Sequence, residues 1–316
     1  MSDFIFSINV TLPIFLVMVI GWGLKQTGML NDNFVTVANR FNFEVTLPFM
    51  VFEDLSTVDI RSSFDLRFVL FCAAATSICF WGIWLCARLF LKNKSLRGAF
   101  VQASFRSSAA VMGLAFISNL YGSSAMGPMM IIGAVPLYNI YSVLVLTFEG
   151  QEENGQRDMS RLKEAGIQII KNPIIIAIVL GILAALLELD FPTIIDKTIS
   201  SVAALATPLA LIGLGAGFEG RKALTRMKPT IWASMIKLVI QPLIFLPIAV
   251  ALGFTGEKLI AILIMLAAPA TPSCYIMAKN MHNDGELTAS IVVLTTLLAA
   301  FTLTGWIYLL KSLGLI

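Results

Sequence analysis

Arg106 stands in the run Ser104-Phe105-Arg106-Ser107-Ser108-Ala109-Ala110-Val111-Met112-Gly113, inside an otherwise apolar segment. An arginine in such a setting is expensive to bury and marks a functional site by default. Its planar fork matches a carboxylate with two parallel hydrogen bonds. The same guanidinium could instead satisfy helix-end carbonyls, and both uses respect the cost of burial. Ser107, Ser108 and Gly113 compete with helical backbone bonding, so a helix is expected to break here, at about residues 107–110. A second irregular run reads Leu266-Ala267-Ala268-Pro269-Ala270-Thr271-Pro272-Ser273-Cys274-Tyr275. Pro269 and Pro272 each withdraw a backbone donor and clash with the preceding turn, which predicts two half-helices joined by an extended link. The second half-helix would aim free N–H groups and its positive dipole end at that link, where an anion is favoured. A third run, Pro136-Leu137-Tyr138-Asn139-Ile140-Tyr141-Ser142, puts an amide into an apolar helix, with Tyr138 and Ser142 sharing one face. Asn139 could touch a ligand or bond across to another helix. The candidate binding residues are Arg106, Ser107, Ser108, Tyr138, Asn139, Pro269, Thr271, Pro272 and Ser273.

The other polar groups suggest less. Arg40 and Glu44 are four apart on one helical face and are expected to pair. Lys237 has no acid within one turn and is expected to snorkel toward the membrane surface. Cys72, Cys79 and Cys86 recur every seven residues and Cys274 stands apart, a spacing that suits packing rather than a metal. No H-E-x-x-H, Walker A or G-x-S-x-G motif is present, and the sole histidine, His282, falls in a loop. Catalysis, a bound metal and a cofactor are therefore not expected. The net charge of +3 is spread over short loops and gives no sign of nucleic-acid binding.

These residues sit in a chain that is 58% hydrophobic and 13% charged, with a mean hydropathy of +0.86. A soluble domain carries roughly 25% charged residues, so the lipid bilayer is the expected solvent. Ten runs approach the length that crosses the hydrocarbon: 4–26, 32–55, 64–91, 97–120, 124–148, 167–188, 192–217, 229–253, 257–280 and 285–311. They are long and apolar throughout, unlike the short alternating strands of a barrel. An acidic Asp3 and the lack of a small-residue cleavage site argue that the first span is retained. Loops after odd-numbered spans hold fourteen Lys and Arg and the opposite side holds five. The basic side is expected to be cytoplasmic, with both termini outside.

A shift of 160 residues sets Pro13 on Pro173, Gly21 on Gly181, Pro48 on Pro208 and Arg61 on Arg221. It also sets 106–113 opposite 266–273. Two halves are expected, 1–150 and 167–316, joined by a cytoplasmic linker at 151–166. If each half crosses the membrane an odd number of times, the two are inverted relative to each other. That is the plan of many secondary transporters, which bind substrate where broken helices meet.

The chain resembles the auxin efflux carrier family along essentially its whole length. The resemblance rests on Phe105-Arg106-Ser107-Ser108 with Gly113-Leu114, on Val135-Pro136-Leu137-Tyr138-Asn139, and on Ala268-Pro269-Ala270 through Met277-Ala278. Asp284, Glu286, Leu287 and Ala289 add to it. It implies an all-α membrane protein of ten transmembrane helices, arranged as two inverted five-helix repeats. Helices 4 and 9 would cross as broken helices, as in bile-acid symporters and sodium–proton antiporters. Helices 1, 2, 6 and 7 would form a scaffold, often dimeric, and the rest a mobile, elevator-like transport domain in the cell membrane. The implied function is secondary transport of a small organic anion such as auxin, malate or malonate, with proton or sodium coupling left open. Ser108 and Ala115 depart from the common family pattern and leave the substrate open. A cation–proton antiporter of the same fold, or a non-transporting small-anion sensor, are the alternatives. The first needs acids at the crossing, and neither 106–113 nor 266–273 contains one.

Overall fold

Proline decides where the helices of this chain bend. The computed structural model describes residues 2–57, 65–109, 126–150, 167 and 170–316, with backbone only for 2–7, 9–11, 221 and 222. Its helices are α1 (Ser2–Gln26), α2 (Asp32–Phe41), α3 (Leu47–Ser56), α4 (Leu66–Phe90), α5 (Arg97–Phe105), α6 (Met126–Glu149), α7 (Pro173–Leu186), α8 (Thr193–Ala203) and α9 (Ala206–Gly217). After them come α10 (Gly220–Thr225), α11 (Met227–Met235), α12 (Gln241–Ala251), α13 (Gly256–Ala267), α14 (Ser273–Asn280) and α15 (Gly285–Ser312). Among the described residues there is no strand. Leu66–Phe90, Met126–Glu149, Thr193–Gly217, Met227–Ala251 and Gly285–Ser312 are each long and apolar enough to cross a membrane. The 151–166 linker, Gly113 and Ala115 lie outside the described residues.

Two π-helical turns, Asn42–Thr46 and Ile236–Ile240, each run directly into a helix whose second residue is proline, Pro48 or Pro242. A proline cannot donate to the carbonyl four residues back and its ring crowds that carbonyl, so the preceding turn widens. For Pro242 the orphaned acceptor is the Leu238 carbonyl, and Trp306 Nε1 donates to it at 3.0 Å. Pro208 lies in the first turn of α9, just past a two-residue break after α8. The two bends meet where Asn42 Nδ2 donates to the Ala206 carbonyl at 2.9 Å.

Glycine decides which helices touch. α1 packs along α9, and α3 along α7. A methyl on Gly21 would stand 2.5 Å from the Ile212 carbonyl oxygen, and one on Gly181 3.1 Å from that of Phe52. Small residues permit such close backbone approach in a membrane, where water does not drive helices together. α5, α13 and α14 are buried nearly all round.

Loop contacts divide the molecule into two ends. At one, Arg88 pairs with Glu149 at 2.6 Å, Arg226 with Asp284 at 3.1 Å, and Asn283 Nδ2 donates to the Leu146 carbonyl at 2.9 Å. At the other, Lys258 pairs with Asp65 at 2.6 Å and Glu257 accepts from the Met126 N–H at 3.1 Å. Asp284 also caps α15 by accepting from the Leu287 N–H at 2.8 Å, the usual work of aspartate at a helix start. Arg40 and Glu44 pair at 2.9 Å, on an exposed face.

Candidate functional site

Two helices end in the interior, and their ends face each other. α5 stops at Phe105, and Arg106 is already extended (φ −73°, ψ 134°), one residue before the expected start of the break. The link runs through Ser107 and Ser108; Ala110 and the rest of that segment lie outside the described residues. α13 stops at Ala267, with Ala268 extended at φ −65°, ψ 150°. Ala268 precedes Pro269, whose ring disfavours the helical region for the residue before it. The chain re-enters a helix only at Ser273, behind Pro272. The links touch where the Ser108 N–H donates to the Pro269 carbonyl at 3.0 Å.

A buried helix end leaves carbonyls without an intrahelical partner, and at both ends side chains from elsewhere in the molecule donate to some of them. For α5, Gln241 Nε2 donates to the Ser104 carbonyl at 2.7 Å and Lys237 Nζ to the Phe105 carbonyl at 3.1 Å. For α13, Tyr138 Oη donates to the Met265 carbonyl at 2.8 Å, while Ser107 Oγ lies 3.1 Å from the Ala268 carbonyl and 3.3 Å from that of Ile264, which already accepts from the Ala268 N–H. Phe105 corresponds to Met265 under the 160-residue shift, so the same carbonyl is capped by a side chain on either side. Lys237 is 0% exposed. It does not snorkel, because a half-helix end lies beside it and offers the ammonium a partner without leaving the interior. Sequence reasoning missed this, since Phe105 is 132 residues away.

Because those carbonyls are occupied, Arg106 is left for other work. Its Nη1 donates to Met277 Sδ at 2.8 Å and, at a long 3.4 Å, to Ser142 Oγ. A thioether is a weak acceptor and neither partner carries charge. A cavity of about 400 Å³, its open mouth included, lies against Arg106. Ser107, Ser108, Tyr138, Asn139 and Thr271 also line it, with Met50, Val51, Asp54, Ala109 and Val135. The structure thus brings six of the nine candidates to one cavity. Pro269, Pro272 and Ser273 do not line it; they shape the link behind. Two of the free donors expected at the start of α14 are occupied, as the Cys274 and Tyr275 N–H groups bond to the Thr271 and Pro272 carbonyls at 3.0 Å. The positive element of the cavity is therefore the guanidinium rather than that helix end.

Asp54 was not among the candidates. It lies near the end of the second apolar run, where an acid passes for the solvated edge of a span. The available signal was that Glu53 and Asp54 are followed by Leu55, still within that run. The crossing stretches lack acids, yet α3 brings one to the cavity they bound.

The chain is 24% identical over 281 residues to a protein of Rhizobium meliloti named "Putative malonate transporter", covering 87% of this chain and 86% of that one. An "Uncharacterized transporter" of Methanothermobacter thermautotrophicus is 22% identical over 307 residues, 96% of this chain and 98% of its own. The "Uncharacterized transporter YfdV" of Escherichia coli is 21% identical over 309 residues, 96% and 97%. The sequence profile of the membrane transport protein family matches residues 6–307. Because that match takes in both broken helices and all the chain between them, this protein belongs to the membrane transport protein family, that of the auxin efflux carriers.

Proposed function

We propose that the chain is a secondary transporter that carries a small organic anion across the cell membrane by alternating access. The observation that carries this reading is Arg106, 5% exposed, beside a cavity between two broken helices, with the helix ends capped by other residues. A buried guanidinium whose hydrogen-bond partners among the described residues are weak and neutral favours a carboxylate and repels a cation. That speaks against a cation–proton antiporter, even though Asp54 supplies an acid. Malonate, the substrate in the name of the Rhizobium relative, is one mono- or dicarboxylate to test, with malate- and auxin-like acids beside it.

The same reading takes the architecture as ten helices in two inverted repeats, 1–150 and 167–316. The contacts of Gly21 with Ile212 and of Gly181 with Phe52 support it, because the shift of 160 turns one contact into the other. Helices α1, α3, α7 and α9, joined by those contacts, would form the scaffold, and a homodimer through it fits the family plan. The loop end rich in Lys and Arg faces the cytoplasm, which leaves both termini outside.

Uptake into proteoliposomes against a panel of carboxylates, with and without sodium or proton gradients, tests transport and its coupling. Calorimetry on purified Arg106→Lys and Arg106→Gln tests the site. Both variants are expected to lose roughly tenfold or more in affinity for the best acid, since neither reproduces the bidentate fork. Unaltered affinity in both would remove Arg106 from the site.

A further inference from the structure

We propose that the cavity accepts a singly charged carboxylate that brings its own hydrogen-bond donor, and that Asp54 and Asn139 exclude a second negative charge. The inference rests on the anion-transporter reading and narrows its substrate class.

Arg106 and Asp54 line the same cavity. Among the described residues they do not close into a direct ion pair; the pairs formed are those of Lys25, Arg40, Arg88, Arg226 and Lys258. A gap therefore separates a cation on one wall from a carboxylate on another. Glu53, the neighbouring acid, is not on the cavity wall and accepts a hydrogen bond from Ser200 of α8. Among the described residues, one basic side chain, Arg106, and one acidic side chain, Asp54, thus line the cavity. With Asp54 ionised, a monoanion seated on Arg106 leaves the site with a single surplus negative charge. A dianion would bring a second carboxylate into the same poorly solvated space as Asp54, where like charges repel far more strongly than in water.

Asn139 adds an independent constraint. Its Nδ2 donates to the Val135 carbonyl of its own helix at 3.0 Å. Its Oδ1 is buried and has no hydrogen-bond partner, while the residue is 1% exposed and lines the cavity. Turning the amide over would set that oxygen against the Val135 carbonyl, so the network fixes the orientation. An amide oxygen only accepts, and an unpaired one in the interior is costly. The Asn139 amide oxygen and the Asp54 carboxyl oxygens present acceptors, and Arg106 presents donors. The complementary ligand therefore has a carboxylate at one end and an O–H or N–H at the other. A hydroxy acid, a half-protonated diacid or an acid bearing an amide or ring N–H would fit; a bare dianion would not.

Three near-isosteric probes separate the features: malonate, a dianion at neutral pH; malonamate, a monoanion with N–H donors; and monomethyl malonate, a monoanion with none. Binding to the purified full-length protein is measured by calorimetry. Wild type is expected to bind malonamate about tenfold more tightly than malonate, the scale of one charge-assisted hydrogen bond. Asp54→Asn is expected to shrink that ratio or reverse it. Asn139→Leu is expected to shrink the advantage of malonamate over the ester. Equal binding of malonate and malonamate by wild type overturns the proposal, as does an unchanged ratio in Asp54→Asn. Should Asp54→Asn fail to fold, Asp54→Ser and the wild-type ratio decide the matter. If no carboxylate binds wild type at all, the anion-transporter reading falls with it; binding with the wrong ratios overturns this inference alone.

Discussion

Lys237 and Arg106 are both buried cations at the same helix end, and they do opposite jobs. The amine of Lys237 is committed to the Phe105 carbonyl, whereas among the described residues the guanidinium of Arg106 has only a hydroxyl and a thioether. Replacing Lys237 by Met keeps the volume but leaves that carbonyl buried without its donor. Losing a partner in this way costs about 1–3 kcal/mol. Lys237→Met is therefore expected to lower the melting temperature in a thermal-shift measurement, with little change in ligand affinity of the folded protein. Arg106→Gln should show the reverse pattern. If Lys237→Met instead abolished binding at unchanged stability, the division of labour between the two cations would be wrong.

Among the elements, the broken helices and the glycine contacts make separate demands. Pro272 ends the α13–α14 link, and its ring disfavours the helical region for the residue before it, Thr271. With alanine there, α14 can extend toward the link and displace Thr271 from the cavity wall. Pro272→Ala is expected to reach the membrane in normal amount and to transport poorly, which uptake normalised to surface abundance will check. Full activity would dissociate the crossing from binding. The glycine contacts concern stability instead. A methyl at Gly21 would press on the Ile212 backbone at 2.5 Å, while one at Gly181 meets Leu55 Cβ at 3.0 Å and the Phe52 carbonyl at 3.1 Å. Overpacking costs about 1–3 kcal/mol, and backbone yields less readily than a side chain. Gly21→Ala should therefore lower the melting temperature more than Gly181→Ala. The opposite order would mean that α1 can slide away from α9 cheaply.

For the whole molecule the open question is which way it faces. One end gathers Arg88, Glu149, Arg226, Asp284 and Asn283, and the other Asp65, Lys258 and Glu257. A cysteine introduced between 157 and 163 should resist an impermeant maleimide in intact cells, while Ser2→Cys should react. The native thiols permit this experiment with one change: Cys72, Cys79 and Cys274 are buried, and only Cys86 is exposed and needs replacing. Reversed labelling would overturn the orientation and the charge count behind it.

What the sequence determined by itself was whatever a single residue's chemistry forces. Pro269 and Pro272 cannot continue a helix wherever they are placed, so the second break and its limits were legible. Asp284 caps the nearest helix start because its carboxylate stands within reach of the local N–H groups. Arg106 stood out because burying a guanidinium is costly in any fold. The tertiary structure decided what depends on partners distant along the chain. Asp54 became a wall of the cavity through the rotation of α3, which is set by packing against Gly181 more than a hundred residues later. Lys237 turned inward because α5 happens to end beside it, and a lysine follows the nearest carbonyls it can reach. The start of α14 lost two of its donors to Thr271 and Pro272, a local closure that the dipole rule does not anticipate. Periodicity and hydropathy report on a helix and its solvent; which faces meet is fixed only when the helices pack against one another.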